Sequence, residues 1–174
     1  MVLSEKYNFL ILNPAKTATK AIFTYYQSIN QAGQYKLGWH SDISHTIKQS
    51  KNYNINLRNI KKYCFVRNPI DRAISMFHMT YQYYDLSDRK SKFKASLMSE
   101  NMLPMKKYYK YNNKIWADEI FKFEDLKNNI NLINQRHNLD LPEFEVKNSH
   151  YDIDYQEWLD KEIIDYIISR EEEL

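Results

Sequence analysis

The feature that most limits what this chain can fold into is a pair of short apolar runs. Each is stopped by a loop carrying proline and cations, and each is then followed by apolar residues at helical spacing. Tyr7 to Leu12 is the first run. Asn13-Pro14 ends it, and beyond Lys16 the residues Ile22, Tyr25, Tyr26 and Ile29 fall on one side of a helix that Thr19 can cap. Tyr63 to Val66 is the second, ended by Arg67-Asn68-Pro69 and followed by Ile70, Ala73, Ile74 and Phe77. Here Asn68 is a good N-cap, Pro69 fits the first helical position, and Asp71 puts an acid in the first turn, where the helix dipole favours it. Strand-loop-helix units in succession argue for a mostly parallel sheet with helices on both faces, a three-layer α/β fold whose ligands sit beyond the carboxyl ends of the strands.

The rest of the chain fits the same plan. Glu119 to Phe123 is a third strand, ended at Glu124-Asp125, and Asp125 begins a helix through Leu126, Ile130 and Ile133. A last helix is predicted from about Tyr155 to Ser169, with Trp158, Leu159, Ile163, Tyr166 and Ile167 inward. Residues 80 to 115 are rich in Tyr, Met and Lys and are predicted to be two helices broken by Pro104. With 174 residues, 43% of them hydrophobic, and no repeat or linker, the chain has room for one core and is assigned a single domain, 1–174. No run is long enough to span a bilayer or to serve as a signal segment, and the single cysteine, Cys64, lies in an apolar run where it has no internal partner. A soluble protein of the reducing cytoplasm, with no membrane partner, is the expectation.

Charge is unevenly spread. Residues 89–114 hold eight bases and one acid, net +7, whereas residues 140–174 hold twelve acids and three bases, net −9. The basic segment suggests a polyanionic ligand that meets only the middle of the chain; a solvated lysine-rich face accounts for the same charges. A nucleic-acid partner is not expected, because no nucleic-acid motif accompanies the segment and the net charge of the whole chain is only +3.

Two loops carry the chemistry. The first reads Asn13-Pro14-Ala15-Lys16-Thr17-Ala18-Thr19-Lys20, a lysine and hydroxyls at a strand-to-helix junction that offers backbone N–H groups to an anion. It holds no glycine and is not a Walker A loop. The second, Phe65-Val66-Arg67-Asn68-Pro69-Ile70-Asp71-Arg72-Ala73-Ile74-Ser75, sets a guanidinium before a helix and a hydroxyl two turns into it, so that Arg67 and Ser75 can approach one phosphate together. An ion pair of Arg67 with Asp71, or with an acid elsewhere, is the alternative.

With these two loops the sequence resembles the PAPS-dependent sulfotransferases, particularly their carbohydrate-type branch. In that family the first loop typically reads PKT followed by small and hydroxyl residues and holds the 5′-phosphosulfate. The second typically reads RNPxDRxxSxY, and its arginine and serine bind the 3′-phosphate. RNPIDRAISMF matches the second pattern at nearly every defined position, with Phe77 in the aromatic slot. In the first loop Pro14 stands one residue further from the lysine than usual, and Lys20 stands where Thr or Ser is common. Phe121-Lys122-Phe123-Glu124-Asp125-Leu126 looks like the family's strand ending in an EDL segment, and Leu141-Pro142 through Asn148-Ser149 like its late loop near the nucleotide.

The resemblance implies a reduced P-loop-like sulfotransferase fold. It implies 3′-phosphoadenosine 5′-phosphosulfate (PAPS) as donor, adenosine 3′,5′-bisphosphate (PAP) as product, and no metal. It carries nucleotide contacts onto Lys16, Thr17, Ala18, Thr19, Lys20, Arg67, Ser75, Asn148 and Ser149. Lys16 would neutralise charge growing on the bridging oxygen. The base that takes the acceptor proton is expected at His40 or His45, with His40 favoured because it follows the Gly38-Trp39 turn and precedes a helix. His78, His137 and His150 are expected to be structural. The acceptor, a hydroxyl or amine expected on a carbohydrate, would lie over Arg89, Lys90, Lys92, Lys94, Lys106, Lys107, Lys110 and Lys114. These suit an anionic glycan, while Tyr81, Tyr83, Tyr84, Tyr108 and Tyr109 could stack on sugar rings. Two alternatives stay open: a catalytically silent relative that binds PAP or PAPS, and a small P-loop kinase. The sequence fixes no oligomeric state.

Overall fold

A computed structural model describes residues 1–29, 37–38, 40–81, 88–97, 104–145 and 158–172. The architecture is α/β. A mixed sheet of four strands runs in the order β1 (Val2–Ser4), β2 (Phe9–Leu12), β3 (Lys61–Val66), β6 (Glu119–Lys122). β1 is antiparallel to β2; β2 with β3 and β3 with β6 are parallel. The register sets Leu12 beside Cys64 and Val66 beside Lys122, so the strands end at one edge, where Asn13, Arg67 and Phe123 follow them.

Alternation along the strands makes two cores. Phe9, Ile11, Tyr63 and Phe65 point to one face, under α1 (Thr19–Tyr25) and α5 (Leu126–Arg136), where Ile22, Tyr26, Ile130 and Ile133 bury. Leu10, Leu12 and Cys64 point to the other, where they meet Leu37, Ile55, Ile60 and Tyr108. The helix α2 (Ile43–Asn52) borders that second core through the Thr46 hydroxyl, 3.8 Å from the sulfur of Met1. A third cluster forms away from the sheet, where Ala73 and Phe77 of α3 (Pro69–Tyr81) pack with Phe93 and Leu97 of α4 (Arg89–Leu97), Trp158, and Ile163 and Ile167 of α6 (Lys161–Glu172). No described helix is long and apolar enough to cross a membrane.

Several boundaries differ from expectation. The first strand starts at Phe9 rather than Tyr7, because Glu5 to Asn8 form a turn, with Asn8 left-handed at φ 56°, that pairs β2 with β1. The three residues of β1 are too few for a period-2 signal. Thr19 is the first helical residue, not the cap: Ala18 takes the cap position in left-handed conformation, with no side-chain bond. The third strand ends at Lys122, and Phe123–Asp125 form a 3₁₀ turn before α5. The last helix starts at Lys161, where the Asp160 carboxylate accepts from Ile163 N–H at 3.0 Å. Residues 80 to 115 hold one described α-helix, α4. The second expected helix is a 3₁₀ turn, Met105–Tyr108, leading into a hairpin of β4 (Lys110–Tyr111) and β5 (Lys114–Ile115). Asn112 and Asn113 are both left-handed at its tip, the backbone that a two-residue hairpin of matching twist requires.

Truncating the wholly buried Ile130 to Ala should cost about 2–5 kcal/mol in a urea titration, whereas Ile115→Ala, 64% exposed on the hairpin, should stay within about 0.5 kcal/mol.

Candidate functional site

The residues beyond the carboxyl ends of β2, β3 and β6 form the candidate site. After β2 the chain closes a tight turn on one acceptor. The Pro14 carbonyl takes Thr17 N–H at 3.3 Å, the Thr17 hydroxyl at 2.7 Å and the Thr19 hydroxyl at 3.3 Å. Thr17 and Thr19 are buried, so what these hydroxyls have left to offer a ligand is a lone pair, not a proton. Lys16 and Ala18 both take left-handed backbone, at φ 68° and 55°. Left-handed residues alternating with an ordinary one are the backbone pattern of an anion nest, here with the Thr17 N–H already committed to the Pro14 carbonyl. Lys16 is half-buried, and Lys20 is exposed in the first turn of α1.

The start of α3 is built as the sequence predicts. The Asn68 side-chain oxygen accepts from Ile70 N–H at 2.9 Å and Asp71 N–H at 3.3 Å, and Pro69 opens the helix. Asn68 N–H donates to the Glu124 carboxylate at 3.0 Å, which ties the end of β6 to this cap. Arg67 reaches across to the first loop, where its Nη1 donates to the Lys16 carbonyl at 3.0 Å; the guanidinium carbon also lies 4.5 Å from the Phe123 ring centre. Five residues on, Arg72 is fully buried and donates from Nε to the Ala15 carbonyl at 3.3 Å and from Nη1 to Glu171 at 3.0 Å. Two adjacent carbonyls of the first loop are thus held by two arginines of the second. Removing either member of the Arg72–Glu171 pair alone leaves a poorly solvated charge, a loss of about 3–5 kcal/mol.

The expected partner of Arg67, Ser75, is buried two turns along α3. Asn148, Ser149, His150, Tyr83 and Tyr84 lie outside the described residues. Beside Arg67 a cavity of about 280 Å³ opens between Val66, Pro69, Met105, Tyr109, Ile120 and Glu171. The expected stacking role of Tyr108 does not fit its position, since it is 3% exposed and fills the second core. Three of the lysines expected to hold an anionic glycan meet the acidic C-terminal segment: Lys90 pairs with Asp160, Lys94 with Glu162, and Lys106 with the Glu172 carbonyl.

The histidines separate by their bonds. His40 lies against the first loop, with Nδ1 3.1 Å from the Asn13 carbonyl, and its own carbonyl accepts from the Tyr108 hydroxyl at 3.3 Å. A carbonyl can only accept, so Nδ1 carries the proton and Nε2 keeps a lone pair. Burial of the side facing the loop lowers the proton affinity of His40 below the ordinary value, although its outer edge is exposed. The Asn13 carbonyl opposes the shift, and the charges of Arg72 and Lys16 add to it. His45, in the first turn of α2, is exposed, and its backbone N–H is capped by Asp42 at 2.8 Å. In His137 both nitrogens are engaged, Nδ1 by the Tyr7 carbonyl at 2.7 Å and Nε2 by the Tyr63 hydroxyl at 3.0 Å, which is a structural role.

One group stands out for a different reason. Asn13 is 1% exposed, and both its side-chain oxygen and nitrogen are buried without a hydrogen-bond partner, at a cost of about 1–3 kcal/mol for each. Arg72, Glu124, Phe123 and Asn13 lie in segments the sequence marks but are given no site role there, and Glu171 is not marked at all. For Arg72 a signal existed, a charge set among the apolar positions of α3. For Glu171 none did, at 99 residues' separation. Comparison with models of protein families, with curated proteins and with solved structures gives no significant match.

Burial holds His137 neutral below its ordinary value of 6.5. The unfolded chain therefore binds the proton more readily, so this contribution is intact above about pH 6.5 and is lost as pH falls toward the lower folded-state value. Urea midpoints measured between pH 7.5 and 5.5 should decline, and His137→Asn should flatten the decline.

Proposed function

We propose that the chain is a PAPS-dependent sulfotransferase of reduced, P-loop-like fold, which moves a sulfuryl group from PAPS to a hydroxyl or amine of an acceptor. The observation that carries this is the bond from Arg67 to the Lys16 carbonyl. It joins the RNPIDRAIS segment to the PAKTATK segment at the ends of neighbouring parallel strands, so the two stretches that resemble the family's phosphate-binding loops meet in space. A nest, a lysine and an arginine suit a donor with phosphate at both the 3′ and 5′ positions. The orphaned Asn13 amide suits a ligand bearing both hydrogen-bond donors and acceptors.

In the reaction the acceptor oxygen or nitrogen forms a bond to sulfur while the bond from sulfur to the bridging oxygen breaks, and that electron pair leaves on the 5′-phosphate of PAP. The acceptor proton goes to Nε2 of His40, whose Nδ1–H is held by Asn13. Lys16 neutralises the charge growing on the bridging oxygen. A second reading, a silent binder of PAP, draws support from the Thr17 and Thr19 hydroxyls turned toward Pro14.

Thermal unfolding with ligand tests the assignment. At a hundredfold excess over its Kd, PAP should add about 2.7 kcal/mol of stability, more than ATP at equal concentration, and Arg67→Ala should remove the gain. Greater protection by ATP would favour a kinase, and protection that survives the Arg67 change would sink the second-loop assignment. Transfer from PAPS across a panel of hydroxyl and amine acceptors should fall about 10²–10³-fold in Lys16→Ala. PAP binding without transfer to any acceptor would leave the silent reading.

A further inference from the structure

The Glu171 carboxylate, near the end of α6, divides its oxygens between two partners. Oε1 lies 3.0 Å from Nη1 of Arg72, and Oε2 accepts from Met105 N–H at 2.6 Å. Arg72 in turn donates to the Ala15 carbonyl. The C-terminal helix therefore ends a chain of contacts that begins in the first loop. No described peptide bond is cis, so holding the Ala15 carbonyl toward α3 points the Lys16 N–H the opposite way. Lys16 is also one of the two left-handed residues that shape the nest.

The fully buried guanidinium has no bulk water to turn to. Its direction is set by the acceptors that surround it, and a carboxylate is a stronger acceptor than a carbonyl. The bond from Met105 fixes the carboxylate in its turn, so the line Met105–Glu171–Arg72–Ala15 is held from both ends. We infer that Glu171 is a positioning residue for the first loop: acting through Arg72, it fixes the peptide ahead of Lys16 and with it the nest. The inference rests on the proposed function for the identity of the anion, but not for the coupling between helix and loop.

The full chain is compared with Glu171→Gln, which keeps the shape and removes the charge, and with Glu171→Asp, which keeps the charge on a shorter arm. Glu162→Gln, on the same helix as Glu171, serves as control, since it breaks an exposed pair with Lys94 of α4. Amide hydrogen exchange is followed without ligand, and PAP affinity is followed by calorimetry at a temperature where each variant is folded. Glu171→Gln should speed exchange at Thr17, whose N–H the Pro14 carbonyl holds, at least tenfold more than at Ile130 and Ile133, and should weaken PAP binding at least tenfold. Glu171→Asp should recover part of both effects, and Glu162→Gln should change neither. Exchange that rises equally in loop and core, or that stays unchanged in the loop, in either Glu171 variant, would overturn the positioning role. A loop that loosens in a chain whose parent does not bind PAP would uphold the coupling and discard the sulfotransferase assignment.

Discussion

The carbonyls of Ala15 and Lys16, held by the guanidinium groups of Arg72 and Arg67, are the contacts on which the arrangement of the site depends. The first loop contains no glycine, yet it bends through left-handed backbone at Lys16 and again at Ala18. For residues with a side chain that conformation costs roughly 1–2 kcal/mol each, so it persists only where neighbours enforce it. Charge-assisted bonds from arginine are strong enough to do so, and they act where water competes little. Lysine could not replace Arg72: only a planar, forked donor can serve the Ala15 carbonyl and the Glu171 carboxylate from different edges of one group.

The same contacts join segments that the sheet merely brings near. The parallel register ends β2, β3 and β6 at one edge, but it leaves the segments that follow them undetermined. Arg67 ties the second to the first, Glu124 ties the third to the second through Asn68 N–H, and Phe123 lies against the Arg67 guanidinium. A surface ion pair contributes little to stability, so Lys90–Asp160 and Lys94–Glu162 act mainly to neutralise a basic stretch that would otherwise repel itself. Part of the charge asymmetry along the sequence is an internal complementarity.

What the sequence displays and what it conceals follow from range. Asn68, Pro69 and Asp71 announce the start of α3 because capping is decided within four residues, and the structure has that cap. The unbroken apolar run from Phe9 to Leu12 marks β2 as buried on both faces for the same reason. The three-residue antiparallel strand β1, the 3₁₀ turn after Pro104 and the Asn-Asn hairpin carry weaker local signals, and of the two helices expected across residues 80 to 115 one is α4 while a turn and a hairpin stand in place of the other. At the site, the loops are legible as a resemblance. The partner of a given arginine is not, because the contacts from Arg67 to Lys16 and from Arg72 to Glu171 span 51 and 99 residues. Thr19 shows the limit most clearly: its type suits a cap, but its hydroxyl is drawn to Pro14, five residues back, and Ala18 takes the position instead.

That diversion follows from the spacing of the first loop. With Ala15 between Pro14 and Lys16, the Pro14 carbonyl sits where Thr17 N–H and both threonine hydroxyls can reach it, and all three converge there. The hydroxyls then close the turn instead of facing outward. What remains to meet an anion is charge and backbone: the Lys16 side chain, the nest at Lys16 and Ala18, and the guanidinium that braces it. An anion at a loop built this way would be read by its charge and position more than by hydroxyl geometry. The hydroxyl-rich sequence therefore overstates how many side-chain donors the site presents, and the arginines beneath it matter correspondingly more.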